Sequence, residues 1–173
     1  MFEGYFAFWL NRRRFALLVL VQIGFAWVIY YNVWLIELLT GMPILDMEVG
    51  YTIERVNTLL GSYTAEARAR YEIIQIADIL HPAVYATLLG TIIWHLAGRR
   101  RSPLLAFPPL VTALFDWAEN VMIWRMTSQN LPVDAADVQA GNILSLAKHG
   151  FLLLTLAIVL ILLLRHIYLT LTM

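Results

Sequence analysis

The chain has 173 residues, of which 61% are hydrophobic and only 14% charged, with a mean hydropathy of +0.71. An average soluble domain carries roughly 25% charged residues, so a water-soluble fold is excluded. Twelve Lys and Arg balance twelve Asp and Glu, and there is no cysteine, which removes a basic footprint for nucleic acid, disulfides, thiolate metal ligands and cysteine nucleophiles.

The chain opens with Phe2, Tyr5, Phe6, Phe8 and Trp9, aromatic residues suited to a membrane interface, followed by Arg12, Arg13 and Arg14. Leu17–Leu39 is the first of four apolar runs, each long enough to cross a ~30 Å hydrocarbon core as a helix. It is too long for the core of a cleavable signal, so this span is expected to stay attached. The connection from Thr40 to about Glu72 repeats Ile53, Val56, Leu59 and Leu60 at helical spacing, which predicts an amphipathic helix capped by Thr52 and ended by Gly61. Thr64 and Glu66 predict a second helix start that runs unbroken into the next span. The other apolar runs are Ile73–Leu96, Leu104–Met126 and Ile143–Leu164. The reading is an all-α, four-helix transmembrane bundle, one domain over residues 1–173. Its spans lie at about 15–39, 73–97, 104–126 and 142–166, with short amphipathic helices in the outer loop between the first two.

Seven of the twelve basic residues precede span one (Arg12–Arg14), join spans two and three (Arg99–Arg101) or close span four (Arg165). The positive-inside rule then places both termini in the cytoplasm. Counted at ~1.5 Å per residue from these arginines, Glu37, Asp78, His81, Asp116, Glu119, Asn120 and Lys148 are expected at one depth in the outer third of the bilayer. A rotation of about 100° per residue groups Asp116, Glu119 and Asn120 on one face. It also groups Tyr71, Asp78, His81, Pro82 and Tyr85, then Tyr30, Trp34 and Glu37, while Lys148 shares a face with Ser145 and Thr155. Charges facing lipid are costly, so these faces should line an inward polar pocket.

Four carboxylates, Glu37, Asp78, Asp116 and Glu119, then face one certain cation, Lys148, with His81 and His149 able to contribute. The excess calls for protonated carboxyls, a bound cation, or Arg55, Arg68, Arg70 or Arg125 folding over the mouth. Asp78-x-x-His81 has the spacing of two metal ligands on a helix, and equally of a general base oriented by a carboxylate. Lys148 at the same depth disfavours a bound dication, so no metal is expected and Lys148 should take the cation's place. Pro82 is expected to free a backbone carbonyl of span two. The candidate catalytic set is Asp78, His81, Asp116, Glu119, Asn120 and Lys148, and the sequence leaves the question of a cofactor open. Phosphate loops, nucleophile elbows and nucleic-acid grooves are absent from the sequence.

The segments "TIERVNTLLGSYTAEARARY", "DILHPAVY", "PPLVTALFDWAENV" and "SLAKHG" together resemble a family of small bacterial integral membrane proteins with four spans. The resembling residues are Gly61, Arg68 or Arg70, Tyr71, Asp78, Pro82, Tyr85, Asp116, Glu119, Asn120 and Lys148. The resemblance covers more than half the chain; it implies a bacterial inner-membrane location and no activity. A looser likeness, in architecture alone, is to four-span sterol-isomerase-like proteins, which also place acids in an intramembrane cavity. The leading functional expectation is a pocket that binds or alters a lipid-like or isoprenoid amphiphile. The alternatives are a non-catalytic accessory or assembly subunit of a larger membrane complex and, last, a proton or cation pathway. Whether the protein is an enzyme stays open.

Overall fold

The computed structural model describes residues 2–98 and 103–172 and is helical. The helices are α1 (Phe2–Trp9), α2 (Arg12–Thr40), α3 (Ile53–Ser62), α4 (Ala65–Ala97), α5 (Phe107–Ser128) and α6 (Ala135–Thr172). Short 3-10 turns at Leu45–Met47 and Pro103–Ala106 interrupt the connections. The Arg99–Arg101 triplet lies outside the described residues.

Local chemistry accounts for the boundaries. The Asn11 side chain accepts from the Arg13 amide and starts α2, and Gly41, with φ of 68°, ends it in the left-handed conformation that glycine adopts without penalty. Thr52 caps α3 and Thr64 caps α4 by accepting from the amides of Arg55 and Ala67. Gly61 falls inside α3 rather than ending it: the helix runs one residue further, to Ser62.

α2, α4 and α6 are each long and apolar enough to cross a membrane. Only 11% of the most apolar stretch of α6 is buried, which leaves an apolar outer surface far larger than water-soluble monomers carry. α5 is not among the three; Asp116, Glu119 and Asn120 sit in its middle.

α4 is the central element, packing on α1, α2, α5 and α6, while α5 and α6 form an antiparallel pair. α1 folds back onto α4: Phe6, 1% exposed, stacks on Trp94 with ring centroids 5.5 Å apart, and its ring fills the space over Gly90. Phe6 is therefore part of the bundle and not of a surface anchor, whereas Tyr5 and Phe8 of the same cluster stay exposed.

The buried residues divide the molecule in two. At the end where α3 sits, Ile36, Ile44, Leu45, Val56, Leu59 and Leu60 join Tyr71 and Ile74 of α4 and Ile123 and Met126 of α5 in one large apolar core. Along the middle of the bundle the buried residues are of another kind. On α4 between Ile74 and Ile93 they are Pro82, Ala86, Thr87, Gly90 and Thr91; on α5 before Ile123 they are Pro108, Pro109, Thr112, Ala113, Asp116 and Glu119; on α6 between Val138 and Leu162 they are Gly141, Ser145 and Thr155. Small and polar residues at helix contacts are the packing mode of helices surrounded by lipid, where burying apolar side chains brings no gain over leaving them exposed.

Candidate functional site

Pro82 decides how α4 meets α5. A proline has no N–H, so the carbonyl four residues earlier, Asp78, loses its helical partner. The Asn120 side chain supplies the missing donor, 3.2 Å from the Asp78 carbonyl oxygen, and Trp117 Nε1 donates to the adjacent Ile79 carbonyl at 2.9 Å. These two side chains fix the register of α5 on α4, and that register brings Asp116 to Tyr85, whose hydroxyl donates to Asp116 Oδ2 at 2.9 Å.

α6 then contributes the cation. Lys148 Nζ lies 3.3 Å from Asp116 Oδ1 and is ion-paired with Glu119 as well. Glu119 is fully buried and Asp116 only 6% exposed. On the α2 side, His81 Nδ1 faces Asp78 Oδ1 at 3.2 Å and His81 Nε2 faces the Gln22 side-chain nitrogen at 3.0 Å. An ionised carboxylate only accepts, so this geometry places a ring hydrogen on Nδ1 toward Asp78.

The contact of Gln22 with His81 also corrects the expected α2 face. It sets α2 and α4 antiparallel with those residues level, and Glu37 then lies about 22 Å further along α2. Glu37, Tyr30 and Trp34 are exposed; the buried face of α2 carries Ile29, Asn32, Val33 and Ile36. Counting from the basic flanks failed because the helices extend unequally past them. His81 stands sixteen residues from either end of α4, which extends beyond the apolar run at its Ala65 end.

The carboxylate missing from the expected set is Asp46. The 3-10 turn Leu45–Met47 carries it into the bundle, where Tyr71 donates a hydrogen bond to it. Burial pushes its carboxyl up to about 7, against the opposing effect of the Tyr71 bond. Burial likewise raises the Tyr51 phenol, with the charges of Glu119 and Asp46 adding to the effect. An acid in a loop offers no sequence sign that it turns inward. None of the four arginines folds over the layer. Arg55 pairs with Glu48, Arg70 with Glu66 and Arg125 with Asp137, and Arg68 donates to the Leu60 carbonyl.

A cavity of about 310 Å³ opens where α2 and α6 separate. Its floor holds Asp78, His81, Tyr85, Asp116 and Lys148, its walls include Ala26, Ile29, Tyr30, Leu89 and Leu152, and Asp46 and His149 stand at its sides. From Ile74 to Leu89 of α4 it runs about 22 Å, the length of a long alkyl chain. Of the six candidate residues, four line it. Glu119 lies behind Lys148, and Asn120 faces a separate groove between Trp117 and Trp124. Among the described residues, no three of His, Asp and Glu converge closely enough to hold a metal ion.

No family model matches the chain, and no curated protein or solved structure is significantly similar to it.

Proposed function

We propose that α2, α4, α5 and α6 form a four-span bundle of the bacterial inner membrane, with both termini cytoplasmic, whose cleft binds or chemically alters a lipid-like or isoprenoid amphiphile. The observation that carries this reading is the cleft: a slot of alkyl-chain length lined from α2, α4, α5 and α6, in which apolar side chains such as Ala26, Ile29, Leu89 and Leu152 stand beside Asp46, Asp78, His81, Asp116, Lys148 and His149. A ligand that joins an apolar body to a polar group matches that mixed lining. α5 fits as a fourth span because its two acids point into the bundle and both ion-pair with Lys148. If chemistry occurs, His81, oriented by Asp78 and held by Gln22, is the imidazole placed to exchange a proton with the ligand.

Lipid extracted from protein purified in native membrane discs tests the reading. One amphiphile should co-purify at about one per chain and be lost from Ala26→Trp, which fills the slot. Retention of the same lipids by the filled variant overturns it. Asp116→Asn, which leaves Lys148 paired with Glu119, should change lipid content more than stability. Single cysteines at Ser62 and Ser102 should label from opposite sides of the membrane, and labelling of both from one side removes the four-span topology.

The competing reading is an assembly subunit whose polar layer is interhelical glue. It is favoured by one observation: Lys148 of α6 ion-pairs with both Asp116 and Glu119 of α5. That reading expects Ala26→Trp to be silent in lipid content and a partner subunit to co-purify.

A further inference from the structure

The hydrogen-bonding inventory of the cleft narrows the head group that the amphiphile reading requires. Most donors in and behind the cleft are engaged by internal acceptors: Lys148 by Asp116 and Glu119, Tyr85 by Asp116, Tyr71 by Asp46 and His81 Nδ1 by Asp78, while the Gln22 amide pairs with His81 Nε2. Thr112 donates to the Pro108 carbonyl and His149 Nδ1 to the Ser145 carbonyl. The unspent acceptors include the charged ones. Each of Asp46 and Asp78 keeps a second carboxylate oxygen, and the Gln22 amide oxygen is buried with no partner.

Charge points the same way. Asp78 and Asp116 line the cleft and Glu119 backs it, against Lys148, which Asp116 and Glu119 already share, and Asp46 adds a further lining carboxylate once it ionises near pH 7. A phosphate or carboxylate head group would meet these carboxylates, with the Tyr30 phenol and the spare hydrogens of Lys148 and Gln22 as the donors left to receive it. A head group that donates and carries positive charge supplies both deficits at once.

We infer that the cleft selects an amphiphile with a primary ammonium head group, with Asp78 as its counter-ion and Asp46 as the second carboxylate of the site. The ligand's ammonium occupies the place that none of the cap arginines reaches.

The test uses full-length protein in detergent and native mass spectrometry with dodecylamine, dodecanol, dodecanoate and ethylamine as probes. Wild type should bind dodecylamine at least about tenfold more tightly than dodecanoate or dodecanol, the discrimination expected of one desolvated charge pair. Asp78→Asn should remove that preference while leaving dodecanol binding unchanged. Asp46→Asn, outside the long helices, repeats the test if Asp78→Asn fails to fold. Dodecanoate or dodecanol binding as tightly as the amine, in a manner lost in Ala26→Trp, overturns the head-group inference and leaves the amphiphile reading intact. Ethylamine binding as tightly as dodecylamine overturns the amphiphilic ligand in favour of a soluble amine. No difference between wild type and Ala26→Trp for any probe overturns the amphiphile reading itself.

Discussion

The cap around α3 and the polar layer at the middle of α4 are two regions of one bundle held together by opposite means. The cap is packed as a water-soluble domain is, with Ile44, Leu45, Val56 and Leu59 wholly buried. In the layer below it, Leu18 of α2 is a buried large aliphatic residue, and the buried positions of α4, α5 and α6 are small or polar. Its helices meet through Gly, Ala, Thr and Pro, and are tied by Lys148 with Asp116 and Glu119 and by Asn120 and Trp117 on the carbonyls near Pro82. Apolar burial stabilises only where the alternative is water. Where the alternative is lipid, close backbone approach and satisfied polar groups take its place. The change of packing mode along α4 is thus itself a sign of where the surroundings change.

The largest expected effect bears on the layer. Lys148→Met leaves two buried carboxylates without a counter-ion and should cost about 3–5 kcal/mol in unfolding measured in mixed micelles. A variant that unfolds like wild type would show that the ion pair does not hold the layer.

Leu59→Ala in the cap should cost about 2–5 kcal/mol, the usual range for a buried leucine. Leu153 on α6, 68% exposed, provides the contrast. Its replacement by alanine should leave unfolding within about 0.5 kcal/mol of wild type. Equal costs at the two positions would erase the distinction between the regions.

Asn120→Leu should cost about 1–3 kcal/mol, because the Asp78 carbonyl is left buried and unpaired. Pro82→Ala restores a backbone N–H to that carbonyl, so the double variant should recover much of the loss. Additive losses in the double-mutant cycle would mean that Asn120 does not compensate for the proline.

The last expectation is the pH dependence of the cap. The Asp46 carboxyl is raised from the ordinary 3.8 to about 7, so between those values the folded chain holds more protons than the unfolded one. Stability should therefore fall as pH rises through that window and level off above it. Hydrogen exchange of the α3 amides should follow this trend, and Asp46→Asn should flatten it. A stability that rises with pH over the same range would contradict the burial of Asp46 beside Tyr71.

Much of this was legible in the sequence because it depends on short-range rules. Apolar run lengths, the Thr52 and Thr64 caps and the continuous helix through Tyr71 and Asp78 follow from hydropathy and local hydrogen bonding. So does the shared face of Asp116 and Glu119, which needs only the 3.6-residue period. Which residues of neighbouring helices stand level was not legible, since that requires the register between helices. That register is set by Asn120 and Trp117 on the carbonyls near Pro82 and by Gln22 against His81, contacts between residues 38–59 positions apart. It removed Glu37 from the site, drew in Gln22 and placed the layer at mid-helix. A loop acid such as Asp46 turns inward only because the apolar neighbours Ile44 and Leu45 are pulled into the cap core, carrying it with them. By itself the sequence determined which helices form and which of their faces are polar, because those are properties of local spacing. Only the tertiary structure decided which polar residues meet, because meeting is a property of register and of the competition among apolar residues for one core.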